Sequence, residues 1–246
     1  MSDKNLVSRL FEAGAHFGFK KARRHPTAAP FLYTTKEGSD VIDLAKTSEL
    51  LIAAKATLKE AGSMGKTVLF VGTKDEAAKI VKAAAEKAET LYVTNRWIGG
   101  MLTNFTEIKK RINRLEELTN EKTTGELDRK YTKKERGVIG REATKLEFNF
   151  FGISKMTRMP DLLLVVDPRH DSIAVAEATE KRIPIMAIMS TDGDASMIKY
   201  PVVANDALQT SVSLIMEELT AAYIEGKSAF VPKEVAPVGN TRRRAA

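Results

Sequence analysis

The sequence predicts a three-layer α/β fold around a mainly parallel sheet, with a helical unit inserted between two halves of the sheet pattern. Two observations carry this expectation. Continuous apolar runs such as Thr67-Val68-Leu69-Phe70-Val71, closed by Gly72, suit strands covered on both faces. Helices of ten or more residues separate those runs, as parallel pairing requires. At 246 residues and 43% hydrophobic content, the chain can bury the core of one large domain or of one domain carrying an insertion.

The elements follow in order. Leu6, Val7, Leu10, Phe11 and Ala15 fall three to four apart and predict a short amphipathic helix over 2–15, ending near Gly14 to Gly18. The segment Phe19-Lys20-Lys21-Ala22-Arg23-Arg24-His25-Pro26 shows no core periodicity and reads as an exposed basic loop. Phe31-Leu32-Tyr33 and Val41-Ile42-Asp43-Leu44, separated by Lys36-Glu37-Gly38-Ser39, predict a β-hairpin. A helix over 45–61, a strand over 67–71, an alanine-rich helix over 75–87 and a short strand over 91–93 come next. The pattern resumes with a strand over 161–166, a helix over 172–181, a strand over 183–189 and a long helix over 204–224.

Between the halves, over 104–150, the strand pattern stops and charge density rises. Phe105, Ile108, Ile112, Leu115 and Leu118 form one narrow apolar stripe, and Ile139, Ala143, Leu146 and Phe150 form another. Two such stripes predict an antiparallel, coiled-coil-like helical hairpin projecting from a body made of 1–103 and 151–227. Asn104 with Glu107 suggests a capping pair at its start. The tail over 228–246, with two prolines and Arg242-Arg243-Arg244, is basic and reads as disordered until bound.

Thirty-nine lysines and arginines against 32 acidic residues give a net charge of +7, which favours a polyanionic partner. The absence of cysteine excludes disulfide scaffolds, thiolate metal sites and cysteine nucleophiles. The start, Met1-Ser2-Asp3-Lys4-Asn5, lacks the apolar stretch of a secretory signal, and no apolar run reaches the roughly 20 residues of a membrane helix. A cytoplasmic protein without a membrane partner is the expectation.

Several motifs invite chemistry. Gly62-Ser63-Met64-Gly65-Lys66-Thr67 ends like a phosphate loop but has the wrong glycine spacing and precedes a strand, so it reads as a helix stop. Gly72-Thr73-Lys74, between strand and helix, could hold an anion on backbone N–H groups or could simply be a tight turn. Asp167, Asp192, Asp194 and Asp206 fall at or after strand ends, where oxygen ligands could hold Mg²⁺; capping and turn roles explain the same placement. His16, His25 and His170 lack metal-ligand spacing, and no hydrolase elbow, metalloprotease helix or kinase set is present. Trp97, the single tryptophan, lies in Asn95-Arg96-Trp97-Ile98-Gly99-Gly100-Met101-Leu102-Thr103-Asn104, where it could stack on a base or wedge the hairpin onto the body.

Six segments together resemble the family of the second protein of the bacterial small ribosomal subunit, whose archaeal and eukaryotic branch includes the laminin-receptor precursor. They are residues 10–18, Val41-Ile42-Asp43-Leu44, Leu69 to Lys74, Arg96 to Phe105, Pro160-Asp161 and Val165-Val166-Asp167-Pro168-Arg169, and the likeness runs from about Leu6 to Gly226. Phe19, His25, residues 191–197 and residues 202–206 depart from the family's usual pattern. The resemblance implies a flavodoxin-like body with an inserted helical hairpin. It also implies a seat at the head-body junction of the small subunit, contact with small-subunit ribosomal RNA, and help in recruiting the large messenger-binding protein of that subunit.

On this reading the chain is a ribosome-bound structural protein with no cofactor and no small-molecule substrate. Lys20, Lys21, Arg23 and Arg24 of the basic loop, Lys109, Lys110 and Arg114 of the hairpin, and Lys74, Arg96 and Arg169 near strand ends are the expected contacts to RNA phosphates. The rival is a Mg-dependent α/β enzyme acting on a phosphorylated small molecule through the four aspartates. Spread-out positive charge favours a wide RNA footprint over one catalytic cleft.

Overall fold

The computed structural model describes residues 2–230. From residue 231 onward, the expected tail lies outside the described residues. Eight strands and eight α-helices are present among them.

The amino-terminal part comprises α1 (Ser2–Glu12), β1 (Phe17–Lys20), β2 (Leu32–Lys36) and β3 (Ser39–Ile42), with two 3₁₀ turns, Lys21–Arg23 and Pro26–Phe31, between β1 and β2. β2 and β3 form the expected hairpin, and Glu37 and Gly38 both take positive φ (51° and 77°), the two-residue turn that matches strand twist. β1 pairs with the other side of β3, giving a three-stranded antiparallel sheet. The expected basic loop is therefore partly strand. Phe19 and Lys20 end β1, and because β1 is buried on neither face, no alternation marked it.

The body continues through α2 (Leu44–Ser63), β4 (Val68–Val71), α3 (Asp75–Lys87), β5 (Leu91–Val93), α4 (Phe105–Thr123), α5 (Glu126–Lys130), α6 (Lys133–Phe150), β6 (Leu162–Val166), α7 (Ser172–Glu180), β7 (Ile185–Met189), β8 (Tyr200–Val203) and α8 (Gln209–Ser228). β4 to β8 form one fully parallel sheet in the order β5-β4-β6-β7-β8, the flavodoxin-like order 2-1-3-4-5.

Both faces are covered, which is why the strands read as unbroken aliphatic runs. Val68, Phe70, Leu162, Leu164, Val166, Met186 and Ile188 pack with buried residues of α1, α2, α3 and α8. Their neighbours Leu69, Val71, Leu163, Val165, Ile185 and Ala187 face the other way, toward α7 and the Trp97-Met101-Leu102 segment. That second cluster continues without a break into Ile108, Ile112, Leu115 and Leu118 of α4 and Leu146 and Phe150 of α6. Arg114 of α4 also reaches Glu142 of α6 at 3.7 Å.

Two boundaries differ from expectation. The last helix starts at Gln209, because residues 200–203 form the fifth parallel strand and Asp206 serves the loop after it, accepting from the Ser190 N–H at 3.1 Å. Asn104 makes no side-chain cap; Glu107 instead pairs with Lys110 at 2.6 Å, and the capping box is found at Thr132 and Glu135 of α6.

Candidate nucleic-acid interface

In a sheet of this order, ligands usually bind outside the carboxyl ends of the strands where the order reverses, here between β4 and β6. Side chains of the chain itself fill that crevice. Lys74 Nζ donates to Asp167 at 3.0 Å and to Asp206 at 3.5 Å. The Thr73 N–H and hydroxyl donate to buried Asp171 at 3.1 and 2.6 Å. The anion held at the Gly72-Thr73-Lys74 turn is the Asp171 carboxylate.

The electrostatics follow from burial. Asp206 is 1% exposed, and desolvation, reinforced by the Asp167 charge and opposed by Lys74, pushes its carboxyl up to about 7. Burial also raises Asp171, against the bonds from Thr73. For Lys74, burial disfavours the ammonium, but the attraction of Asp206 and Asp167 outweighs it and holds the amine above its ordinary value.

The other two aspartates are separately employed. Asp192 accepts from Arg169 at 2.6 Å, while Asp194 accepts from the Ser196 N–H and hydroxyl at 2.8 Å each. Among the described residues no group of three or more potential ligand side chains is arranged to hold a metal ion.

The basic segment after β1 lies against this same edge of the sheet. The Phe19 N–H donates to Thr191 Oγ1 at 3.0 Å and the His25 N–H donates to the Thr191 carbonyl at 2.8 Å, next to Asp192 and its partner Arg169. Arg24 turns inward: its Nε donates to buried Asp40 at 2.8 Å, a second nitrogen contacts the same carboxylate, and that nitrogen also reaches Thr35 at 2.6 Å. The Arg24 bond holds the Asp40 carboxyl below its ordinary value despite burial. Lys20, Lys21 and Arg23 are exposed, and Arg23 lies over the Phe19 ring at 5.0 Å.

The ten expected cations therefore divide by partner. Lys74, Arg24 and Arg169 are committed to carboxylates of the body. Lys110 pairs with Glu107 on one turn of α4, and Arg114 lies between Glu117 and Glu142. Lys20, Lys21, Arg23, Arg96 and Lys109 are exposed and, among the described residues, make no ion pair. Lys20 ends β1, Lys21 and Arg23 follow it, Arg96 follows β5 at the carboxyl edge of the parallel sheet, and Lys109 lies one turn into α4.

Trp97 is 6% exposed, so its ring is covered by the protein and is not presented to a base. Its Nε1 donates to buried Glu177 of α7 at 3.1 Å. The same carboxylate accepts from the N–H groups of Gly100 (2.8 Å), Leu102 (2.9 Å) and Thr103 (3.0 Å) and from the Thr103 hydroxyl (3.1 Å). Burial opposes the charge of Glu177, but these donors outweigh it and hold the carboxyl below its ordinary value. The segment leading into α4 is thereby fixed to α7.

A model of the family described as ribosomal protein S2 matches residues 10–226. The chain belongs to the ribosomal protein S2 family. It is 42% identical over 221 residues to small ribosomal subunit protein uS2 of Petrotoga mobilis, covering 90% of this chain and 76% of that protein. It is 41% identical over 220 residues to uS2 of Fusobacterium nucleatum, covering 89% of each. With uS2c of Porphyra purpurea it shares 40% identity over 221 residues, 90% of this chain and 91% of that one. The S2 family is a family of structural ribosomal proteins, not of enzymes. No helix among the described residues is long and apolar enough to cross a membrane.

Sequence reading missed two acids that organise this S2-family site. Glu177 was detectable, because it lies three residues after Ala174 and one before Ala178, on the face of α7 that those buried alanines define. Asp40 carried no such mark; its partner Arg24 reaches it across the small sheet from a different strand connection.

Proposed function

We propose that this chain is a structural constituent of the small ribosomal subunit that binds its ribosomal RNA through the unpaired cations at the carboxyl edge of the parallel sheet. The observation that carries the reading is the set Lys20, Lys21, Arg23 and Arg96, exposed and without ion pairs among the described residues, in a chain of the S2 family. Contacts from such residues fix position on the RNA backbone without reading sequence. Lys109 extends the footprint onto α4, while Lys110 and Arg114 exchange acidic partners for phosphate on binding. Lys74, Arg24 and Arg169 support the face from within.

The family likeness further supports a seat at the head-body junction, with α4 to α6 acting as an antiparallel arm and the chain helping to recruit the large messenger-binding protein. The uS2 relatives are named as proteins of the small subunit, and a ribosome-bound location follows for this chain on the same reading.

Sedimentation of a lysate at low and at high magnesium tests the assignment. The chain should travel with the small subunit and, as magnesium rises, with the whole ribosome; recovery only at the top of both gradients would overturn it. In binding to small-subunit RNA, the Lys20→Ala/Lys21→Ala/Arg23→Ala variant should flatten the salt dependence by a slope of about 2 to 3. An unchanged slope removes this segment from the interface.

A further inference from the structure

A groove flanks the edge strand β5, formed by two cavities of about 770 and 460 Å³ that meet at Tyr92, Phe151 and Gly152. It runs from Thr67 and Thr90, at the amino ends of β4 and β5, to Asn95, the neighbour of the unpaired Arg96. It is thus continuous with the face proposed above to meet RNA.

The groove displays rings that the core leaves out. Phe148, Phe151 and Phe230 are 60%, 56% and 41% exposed, although Phe150 and Ile153 beside Phe151 are buried. Phe151 is held in place: it opens the 3₁₀ turn Phe151–Ile153, where a Cβ on Gly152 would lie 2.2 Å from the Tyr92 carbonyl oxygen. Only glycine lets the turn sit this close to β5, so the ring stands on a rigid floor. Cations outnumber carboxylates along the lining five to three, and Lys66 and Lys155 have no ion-pair partner among the described residues.

Exposed aromatic faces combined with unpaired cations along a narrow cleft suit one occupant best. Bases of a single strand stack on such rings whatever their sequence, while the cations follow the phosphates. A duplex keeps its bases stacked on one another and cannot offer them to Phe151. We infer that this groove binds an unpaired stretch of RNA as an extension of the carboxyl-edge interface. The inference rests on the RNA-binding reading of the protein.

Fluorescence anisotropy with the full-length protein tests it, using a labelled ten-nucleotide oligoadenylate and a labelled 20-base-pair RNA duplex. Phe151→Ala should weaken oligoadenylate binding on the order of tenfold or more, with duplex affinity unchanged. Lys66→Glu/Lys155→Glu, which leaves the rings in place, should also weaken oligoadenylate binding, and circular dichroism checks that both variants fold. Wild-type affinity for oligoadenylate in both variants would overturn the groove, as would retained affinity with loss of a ribosomal protein from co-sedimentation, which marks a protein-docking site. A wild-type protein that binds the duplex but not the oligonucleotide defeats the groove alone; one that binds neither defeats the RNA reading itself.

Discussion

Glu177 and Asp206 are both buried carboxyls on the same α/β body, yet their surroundings drive them in opposite directions. Glu177 collects five hydrogen bonds from the segment between Trp97 and Thr103, and these hold it below its ordinary value. Asp206 receives one backbone N–H from Ser190 and a 3.5 Å contact from Lys74, which lies closer to Asp167, and it rises to about 7. Burial alone predicts a rise for both. The number and placement of donors decides the sign, and it separates a carboxylate used as a structural bolt from one left partly compensated at a crevice.

Deleting the bolt should have the largest effect. Glu177→Ala leaves an indole N–H, three backbone N–H groups and a hydroxyl inside the protein without their acceptor. Loss of about 3–5 kcal/mol is expected, the range for removing one member of a buried charged network. Urea unfolding measures it, and emission of the single tryptophan should shift red as Trp97 loosens. A loss under about 1 kcal/mol with unchanged emission would show that Met101, Leu102 and their apolar neighbours hold the segment without the carboxylate.

The second variant acts at the crevice and through pH. A carboxyl with a raised folded pKa keeps a proton that the unfolded chain has released, so stability falls as pH climbs from about 4 toward 7. At about 1.4 kcal/mol per unit, the shift of Asp206 from 3.8 to about 7 bounds that loss at roughly 4 kcal/mol. Glu177 contributes in the opposite sense: its stabilisation is present above 4.5 and disappears as pH drops through its depressed value. In Asp206→Asn, unfolding free energies at pH 5, 6 and 7 should lie on a flatter line, with Asp171 and, in the opposite sense, the burial-lowered His16 supplying the slope that remains. A wild-type slope in this variant would mean that Lys74 keeps Asp206 ionised throughout and that the two acids differ less than their donors suggest.

The same contrast explains what the chain disclosed before folding. Parallel strands covered on both faces announced themselves as Leu162 to Val166 and Ile185 to Met189, and the flanking helices followed. β8 did not, being four residues long with Pro201 inside it, which an edge strand tolerates and a pattern search discounts. Cations were readable as a type, but which ones stay free was not. Lys74 finds Asp167 93 residues away and Arg169 finds Asp192 23 residues away, and only the fold makes those meetings. The Arg96 to Phe105 segment carried the family likeness, yet the acid that anchors it lies in α7.

The smallest expected effect sharpens the comparison most, because it removes one donor and leaves the rest. Trp97→Phe keeps an aromatic ring under the Met101-Leu102 segment and deletes only the Nε1–H at 3.1 Å from Glu177. Four donors remain on the carboxylate, two backbone N–H groups of Leu102 and Thr103 among them, so the acid stays below its ordinary value and the segment stays docked. The expected cost is about 1–2 kcal/mol, one hydrogen bond to a charged group plus a small packing loss. With tryptophan gone, urea unfolding is followed by far-ultraviolet circular dichroism. If Trp97→Phe costs as much as Glu177→Ala, the indole rather than the backbone N–H groups holds the carboxylate in place. Donor identity, not donor number, would then distinguish Glu177 from Asp206.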